Sequence, residues 1–317
     1  MPDLKTTLIT STALFIAFAL LVLWLWTPDL DEASLHAKYL RAPTDLIDVA
    51  GVRLHVRDDG DRDAPAVILI HGFGASLHTW EPWAIALKPD FRVVRFDLPG
   101  SGLSPPDPTG DYSDDRSIAL LTALMDQLRL AKAAVVGNSI GGRIAWTFAD
   151  QYPRRVDKLV LVSPDGFASQ GFQYGKKPEV SMATGFMLQA IRFALPKPVL
   201  RMSLAPAYSD PAVLTDTLTQ RYHDLMRAPG SRDALIARMS QTVLTDPVPA
   251  LNRIQVPTLL LWGKQDALIP LANAQDYVEA LPNSRLVTLP GLGHLPHEED
   301  PARSLAPVRE FLLRTLP

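Results

Sequence analysis

Seven short runs of leucine and β-branched residues recur along the chain, near residues 52–57, 66–70, 91–96, 133–137, 157–162, 257–262 and 285–289. Most are apolar without alternation, which predicts strands buried on both faces. The stretches between them place apolar residues at helical spacing, as Ile144, Ala145, Phe148 and Ala149 do. Buried strands alternating with helices predict an α/β fold, a mostly parallel sheet with helices on both faces. The polar run Asp58 to Asp63 reads as a hairpin-like turn before the first fully buried strand. Two segments depart from the alternation. Between Gly166 and about Pro249, helix-like pieces broken by prolines replace the strands, and Thr7 to Trp26 is a run of twenty residues without a charge.

A helix of that length crosses a bilayer, and Trp24 and Trp26 at its end suit the aromatic belt of a membrane boundary. A cleaved signal peptide would have a shorter apolar core and a small-x-small site, whereas this run continues into Thr27-Pro28-Asp29-Leu30-Asp31-Glu32. The expectation is an uncleaved single-pass anchor over residues 1–28, in a bacterial inner membrane. Lys5 and the α-amino group before the span nearly balance Lys38 and Arg41 after it, and the expected orientation puts the remaining chain outside the cytoplasm. Ala13, Ala17 and Ala19 would let two such helices approach, so an oligomer stays open. The net charge of −3 carries no nucleic-acid footprint, and the chain has no cysteine. No Walker A, dinucleotide or metal-ligand spacing is present, so no cofactor and no metal is expected.

The chemistry-bearing residues stand at strand ends. Gly137-Asn138-Ser139-Ile140-Gly141 fits G-x-S-x-G between a buried strand and a helical run, which makes Ser139 a candidate nucleophile on a strained turn. Val67-Ile68-Leu69-Ile70 runs into His71-Gly72-Phe73-Gly74, where Gly72 and Gly74 let backbone amides approach a ligand. The amides of Phe73 and Ile140 are then the expected oxyanion hole. Later strands lead to Asp266 and to His294, giving the chain order Ser139, Asp266, His294. Serine needs a base within reach, and histidine titrates near working pH while a carboxylate fixes its tautomer. Asp165 also ends a strand and stays open as an alternative acid. His297, three residues past His294, is read as packing or capping, and His36, His55, His78 and His223 as satisfied or solvated.

On these motifs the chain resembles the α/β-hydrolases, from its third strand to its C-terminal helix. The resemblance implies Ser139 as nucleophile, His294 as base and then acid, and Asp266 as its orienting group. It makes His71 a support for its own turn, and Asp97 to Ser104 a structural loop beside the site. It also divides the chain into a core of residues 40–165 and 250–317 and a helical cap of residues 166–249. The first half of that cap is apolar, and Phe186 and Met187 are candidate substrate contacts. The function implied is hydrolysis of a carboxylic ester, soluble or lipid, by a membrane-bound enzyme similar to bacterial lipases and phospholipases. Hydrolysis of carbon–carbon bonds in ring-cleavage products is the alternative, since that branch shares the Gly137 to Gly142 pattern. It usually has tryptophan after the catalytic histidine, where this chain has Leu295. A non-catalytic binding module is a third possibility, and Ser139 excludes the relatives with an aspartate nucleophile.

Overall fold

The computed structural model describes residues 4–168, 173–177 and 182–314. Eight strands form one sheet: β1 (Leu46–Val49), β2 (Val52–Asp59), β3 (Ala66–Ile70), β4 (Arg92–Phe96), β5 (Ala133–Asn138), β6 (Val156–Val162), β7 (Thr258–Gly263) and β8 (Ser284–Leu289). Their spatial order is β1-β2-β4-β3-β5-β6-β7-β8. Only β1 with β2 and β2 with β4 run antiparallel, and the other neighbours are parallel.

The described helices are α1 (Leu4–Leu25), α2 (Glu32–Tyr39), α3 (Glu81–Leu87), α4 (Asp114–Gln127), α5 (Ile140–Gln151), α6 (Met182–Ile191) and α7 (Lys197–Leu204), followed by α8 (Asp216–Leu225), α9 (Ser231–Gln241), α10 (Val248–Leu251), α11 (Ala272–Ala280), α12 (Pro296–Glu299) and α13 (Pro301–Leu313). Side-chain caps set several starts: Ser113 accepts from the Arg116 amide ahead of α4, and Asp300 from the Arg303 amide ahead of α13.

Successive strand residues point to opposite faces, and both faces are covered. Ile68 and Ile70 of β3 join Leu121 and Leu124 of α4, Phe148 of α5 and Tyr277 of α11 in one core layer. Val67 and Leu69 join Trp83 of α3 and Val308 and Leu312 of α13 in the other. This two-sided burial is why the strands read as apolar runs without alternation.

Two details differ from the pattern-based reading. β1 is an additional strand, joined to β2 through Ala50 and Gly51, both at positive φ (45° and 86°). That tight turn is the hairpin. Asp58 and Asp59 instead continue β2 and pair with Val94 and Val93 of β4, so no hairpin joins β2 to β3. Between β6 and β7 the described chain forms α6 to α10 with no strand. At the other end α1 is long and apolar enough to cross a membrane, and none of its span from Leu8 to Leu25 is buried against the protein.

Candidate active site

β5 ends at Asn138 and α5 begins at Ile140, which leaves Ser139 alone to reverse the chain. It does so at φ 56° and ψ −123°, a conformation that costs an L-residue about 1–2 kcal/mol. Backbone bonds hold it there: the Ser139 amide donates to Val162 (3.1 Å), and its carbonyl accepts from Arg143 (3.1 Å) and Asp165 (3.0 Å). A Cβ on Gly137 would overlap the Gly141 carbonyl, and one on Gly141 would overlap the carbonyls of Ile70 and His71. The turn therefore tolerates no side chain at either glycine.

The loop after β3 packs directly on this turn. A Cβ on Gly72 would lie 2.8 Å from Asn138 Oδ1 and 3.2 Å from Ser139 Cβ. Gly74 follows at φ 67°. His71 braces the loop, with Nδ1–H donating to Gly72 O (2.8 Å) and Nε2 accepting from the Leu98 amide (3.0 Å). Its burial pushes it below the ordinary histidine value, so it stays neutral and keeps that tautomer. The amides of Phe73, in the loop after β3, and of Ile140, the first residue of α5, donate to no acceptor among the described residues.

His294 Nδ1 donates to Asp266 Oδ2 at 2.8 Å, and the Asp266 carboxylate is fully buried. The other oxygen, Oδ1, accepts from the amides of Leu268 and Ile269, each at 2.9 Å, which turns Oδ2 toward the imidazole. Asn138 joins this pair to the serine turn, its Nδ2 donating to both Val162 O (3.0 Å) and His294 O (3.1 Å). Motif reading assigned Asn138 no role. The available signal was an amide side chain closing an otherwise apolar strand.

Asp165 is not brought to the imidazole. Its Oδ1 accepts from the Gly166 amide and its Oδ2 lies 3.6 Å from Arg143 Nη1. His297 is buried, stacked on Trp80 at 4.0 Å with Nε2 against Thr79 Oγ1 at 2.9 Å, and burial holds it neutral. His36 lies beside Glu32, and His223 Nε2 donates to Leu195 O. Burial pushes His78 down to about 3.

His55 has a partner that sequence spacing did not reveal: its Nδ1 lies 2.7 Å from Asp97 Oδ2, both side chains fully buried. Asp97 also accepts from the amides of Leu77 (2.6 Å) and Leu103 (2.9 Å), so one carboxylate ties β2 to the loops after β3 and β4. Burial alone would raise its pKa. The His55 charge and hydrogen bond outweigh burial and hold it at about 2.

The helical insertion is fastened beside His294. The Ala207 carbonyl accepts from the His294 amide (2.8 Å), and a Cβ on Gly293 would collide with Ser209 N and Ala207 O. Glu298 on α12 accepts from Tyr208 (2.5 Å), Tyr222 (3.0 Å) and Arg221 (2.5 Å). Burial raises both tyrosines far above the ordinary phenol value, followed by the Glu298 charge for Tyr222 and by Tyr222 and then Glu298 for Tyr208, so they remain donors. A cavity beside Gly74 is lined by Ser76, Arg221, Tyr222, Arg232 and Leu235. Phe186 is not brought to it: this side chain is 76% exposed on α6. Met187 belongs to the same helix, and its side chain lies outside the described residues.

Comparison with known proteins agrees with this fold. A family model described as alpha/beta hydrolase fold matches residues 65–301. The 2-hydroxy-6-oxo-6-phenylhexa-2,4-dienoate hydrolase of Burkholderia cepacia is 29% identical over 254 residues, 78% of this chain and 86% of that protein. A meta-cleavage product hydrolase from Pseudomonas fluorescens superposes with a TM-score of 0.72 at 25% identity, covering 85% of this chain and 98% of its own. A membrane phospholipase A described as a bacterial virulence factor shares the fold with a TM-score of 0.69 at 22% identity, over 97% of this chain and 98% of its own.

Proposed function

Since the chain belongs to the alpha/beta hydrolase fold family, we propose that it is a membrane-anchored serine hydrolase of carboxylic esters. The observation that carries this reading is the strained Ser139 turn, joined through Asn138 to an imidazole whose Nδ1–H is held by Asp266. Ser139 Oγ attacks the ester carbonyl while His294 Nε2 takes its proton. The carbonyl oxygen gains the negative charge and is held by the amides of Phe73 and Ile140, at the N-terminus of α5. As the tetrahedral adduct collapses, the alcohol leaves with the proton from His294 and the acyl group stays on Ser139. Water, deprotonated by the same imidazole, then releases the acid. Asp266 orients the ring and stabilises its cationic form without taking the proton. The insertion acts as a cap over Ser139.

Carbon–carbon hydrolysis of a ring-cleavage product is the second reading, favoured by the names of the relatives. Such substrates carry an acid group that needs a cation. The arginines beside Gly74 are already matched by carboxylates, Arg221 by Glu298 and Arg232 by Asp29. That balance supports an uncharged ester. The test is turnover by the full-length, detergent-solubilised protein on acyl esters graded from acetyl to long-chain, beside a phenylhexadienoate. The reading expects ester turnover that favours medium or long chains and is lost in Ser139→Ala. Turnover of the dienoate alone would establish the second reading, and turnover of neither would leave a binding scaffold.

A further inference from the structure

The end of α1 is stitched into the helical insertion. Trp26 pairs with Ala194 in a short antiparallel bridge, and its ring stacks on Phe193 at 6.0 Å. Thr27 N donates to Phe193 O (2.8 Å), and Thr27 Oγ1 accepts from Leu195 N (3.0 Å). The nearly buried Arg232 donates to Thr27 O (2.7 Å) and to Asp29 Oδ1 (2.6 Å), while Arg227 donates to Pro28 O (2.8 Å). With this many bonds the helix leaves the insertion in a fixed direction, and no free linker separates them.

The insertion surface next to this junction is apolar and uncovered. Phe193 is 57% exposed beside Trp26, and Phe186 on α6 and Met202 on α7 are each 76% exposed. On α7, Val199 and Met202 share the outer face while Leu200 faces inward. Phe186 lies on α6 seven residues before Phe193, which stands just past the end of that helix. Among these residues Arg192 pairs with Asp233 and Arg201 with Asp216, and Lys197 donates to Gln220 Oε1, so the apolar side chains rather than free cations mark this surface. Arg232, which grips the exit of α1, also lines the cavity beside Gly74.

We propose that α6 and α7 dock on the lipid bilayer, with Phe186, Phe193, Val199 and Met202 dipping into the headgroup region, so that the ester reaches Ser139 from the lipid side. This rests on the reading of α1 as a membrane span. The occupant is lipid because Trp24 and Trp26 mark the level at which the chain leaves the membrane, and Phe193 is stacked at that level. An apolar face held there meets headgroups and acyl chains before it meets a soluble partner.

The chain has no cysteine, so single cysteines can carry a nitroxide label without background. The full-length variants F186C, M202C, L14C and Q151C are reconstituted in phosphatidylethanolamine–phosphatidylglycerol vesicles, and each label's collision rates with oxygen and with a water-soluble nickel chelate are measured. Gln151 is exposed at the far end of α5 from Ser139 and serves as the aqueous control. The labels at residues 186, 202 and 14 are expected to favour oxygen, and the one at residue 151 nickel. Nickel-accessible labels at 186 and 202 beside a lipid-buried label at 14 would overturn the docking while leaving the span intact. A nickel-accessible label at 14 would overturn the span itself, and the docking with it.

Discussion

A serine in the left-handed region, two glycines that admit no Cβ and one amide side chain account for the local geometry of the candidate site. Ser139→Ala keeps the turn's backbone bonds and should reduce ester turnover by about 10⁴- to 10⁶-fold, with the thermal midpoint little changed. Asn138 makes a second prediction. Asn138→Ala removes the donor shared by Val162 O and His294 O, which should cost about 1–3 kcal/mol of stability. It should also lower kcat on the order of 10- to 100-fold, because His294 loses its registration with Ser139. Thermal melts and steady-state kinetics on one short ester measure both effects. Ser139, Asp266 and His294 were legible as candidates because each stands in the turn that follows a strand. Asn138 was not, since its action depends on a carbonyl 156 residues away.

At the scale of elements, single buried carboxylates hold loops together. Asp97 joins β2 to two loops and sits at about 2, below its ordinary 3.8. A depressed carboxylate contributes its stability fully above the ordinary value and loses it as pH falls through the folded one. Unfolding free energy should therefore decline between about pH 4 and pH 2, with a smaller decline in Asp97→Asn. That variant should already be less stable at neutral pH by about 1–3 kcal/mol, because an amide cannot accept all three hydrogen bonds that the carboxylate takes from His55, Leu77 and Leu103. Denaturant titrations at several pH values give both results. Glu298 plays the corresponding part for the insertion. Glu298→Gln should cost about 1–3 kcal/mol and speed amide exchange in α8 before the sheet. Neither carboxylate announced its partner in the sequence: His55 and Asp97 are 42 residues apart, and Tyr208 and Glu298 are 90 apart. β1 escaped for a related reason, since four residues with a central aspartate become a strand only by pairing with β2.

Over the whole molecule, the sheet was readable because both of its faces are buried, which leaves uninterrupted apolar runs. The placement of α1 against the insertion was not readable, because Arg232 and Asp29 meet across 203 residues. That contact turns an apolar helix and an oily insertion, separate features of the sequence, into one face beside the cavity near Gly74. The alternation of strands and helices gives a mostly parallel sheet and the strand-end motifs carry the resemblance to the hydrolases, but both are silent on the bond cleaved, which depends on the charges left unmatched near Ser139.

The central claim is that Ser139 is a nucleophile activated by His294, and an alkyl phosphonate with a nitrophenyl leaving group tests it directly. Intact mass followed by peptide mapping should find one adduct, on Ser139, in the wild-type protein. The adduct should be absent in Ser139→Ala and form far more slowly in His294→Ala. A protein that stays unmodified, or one modified equally fast without His294, would contradict the account.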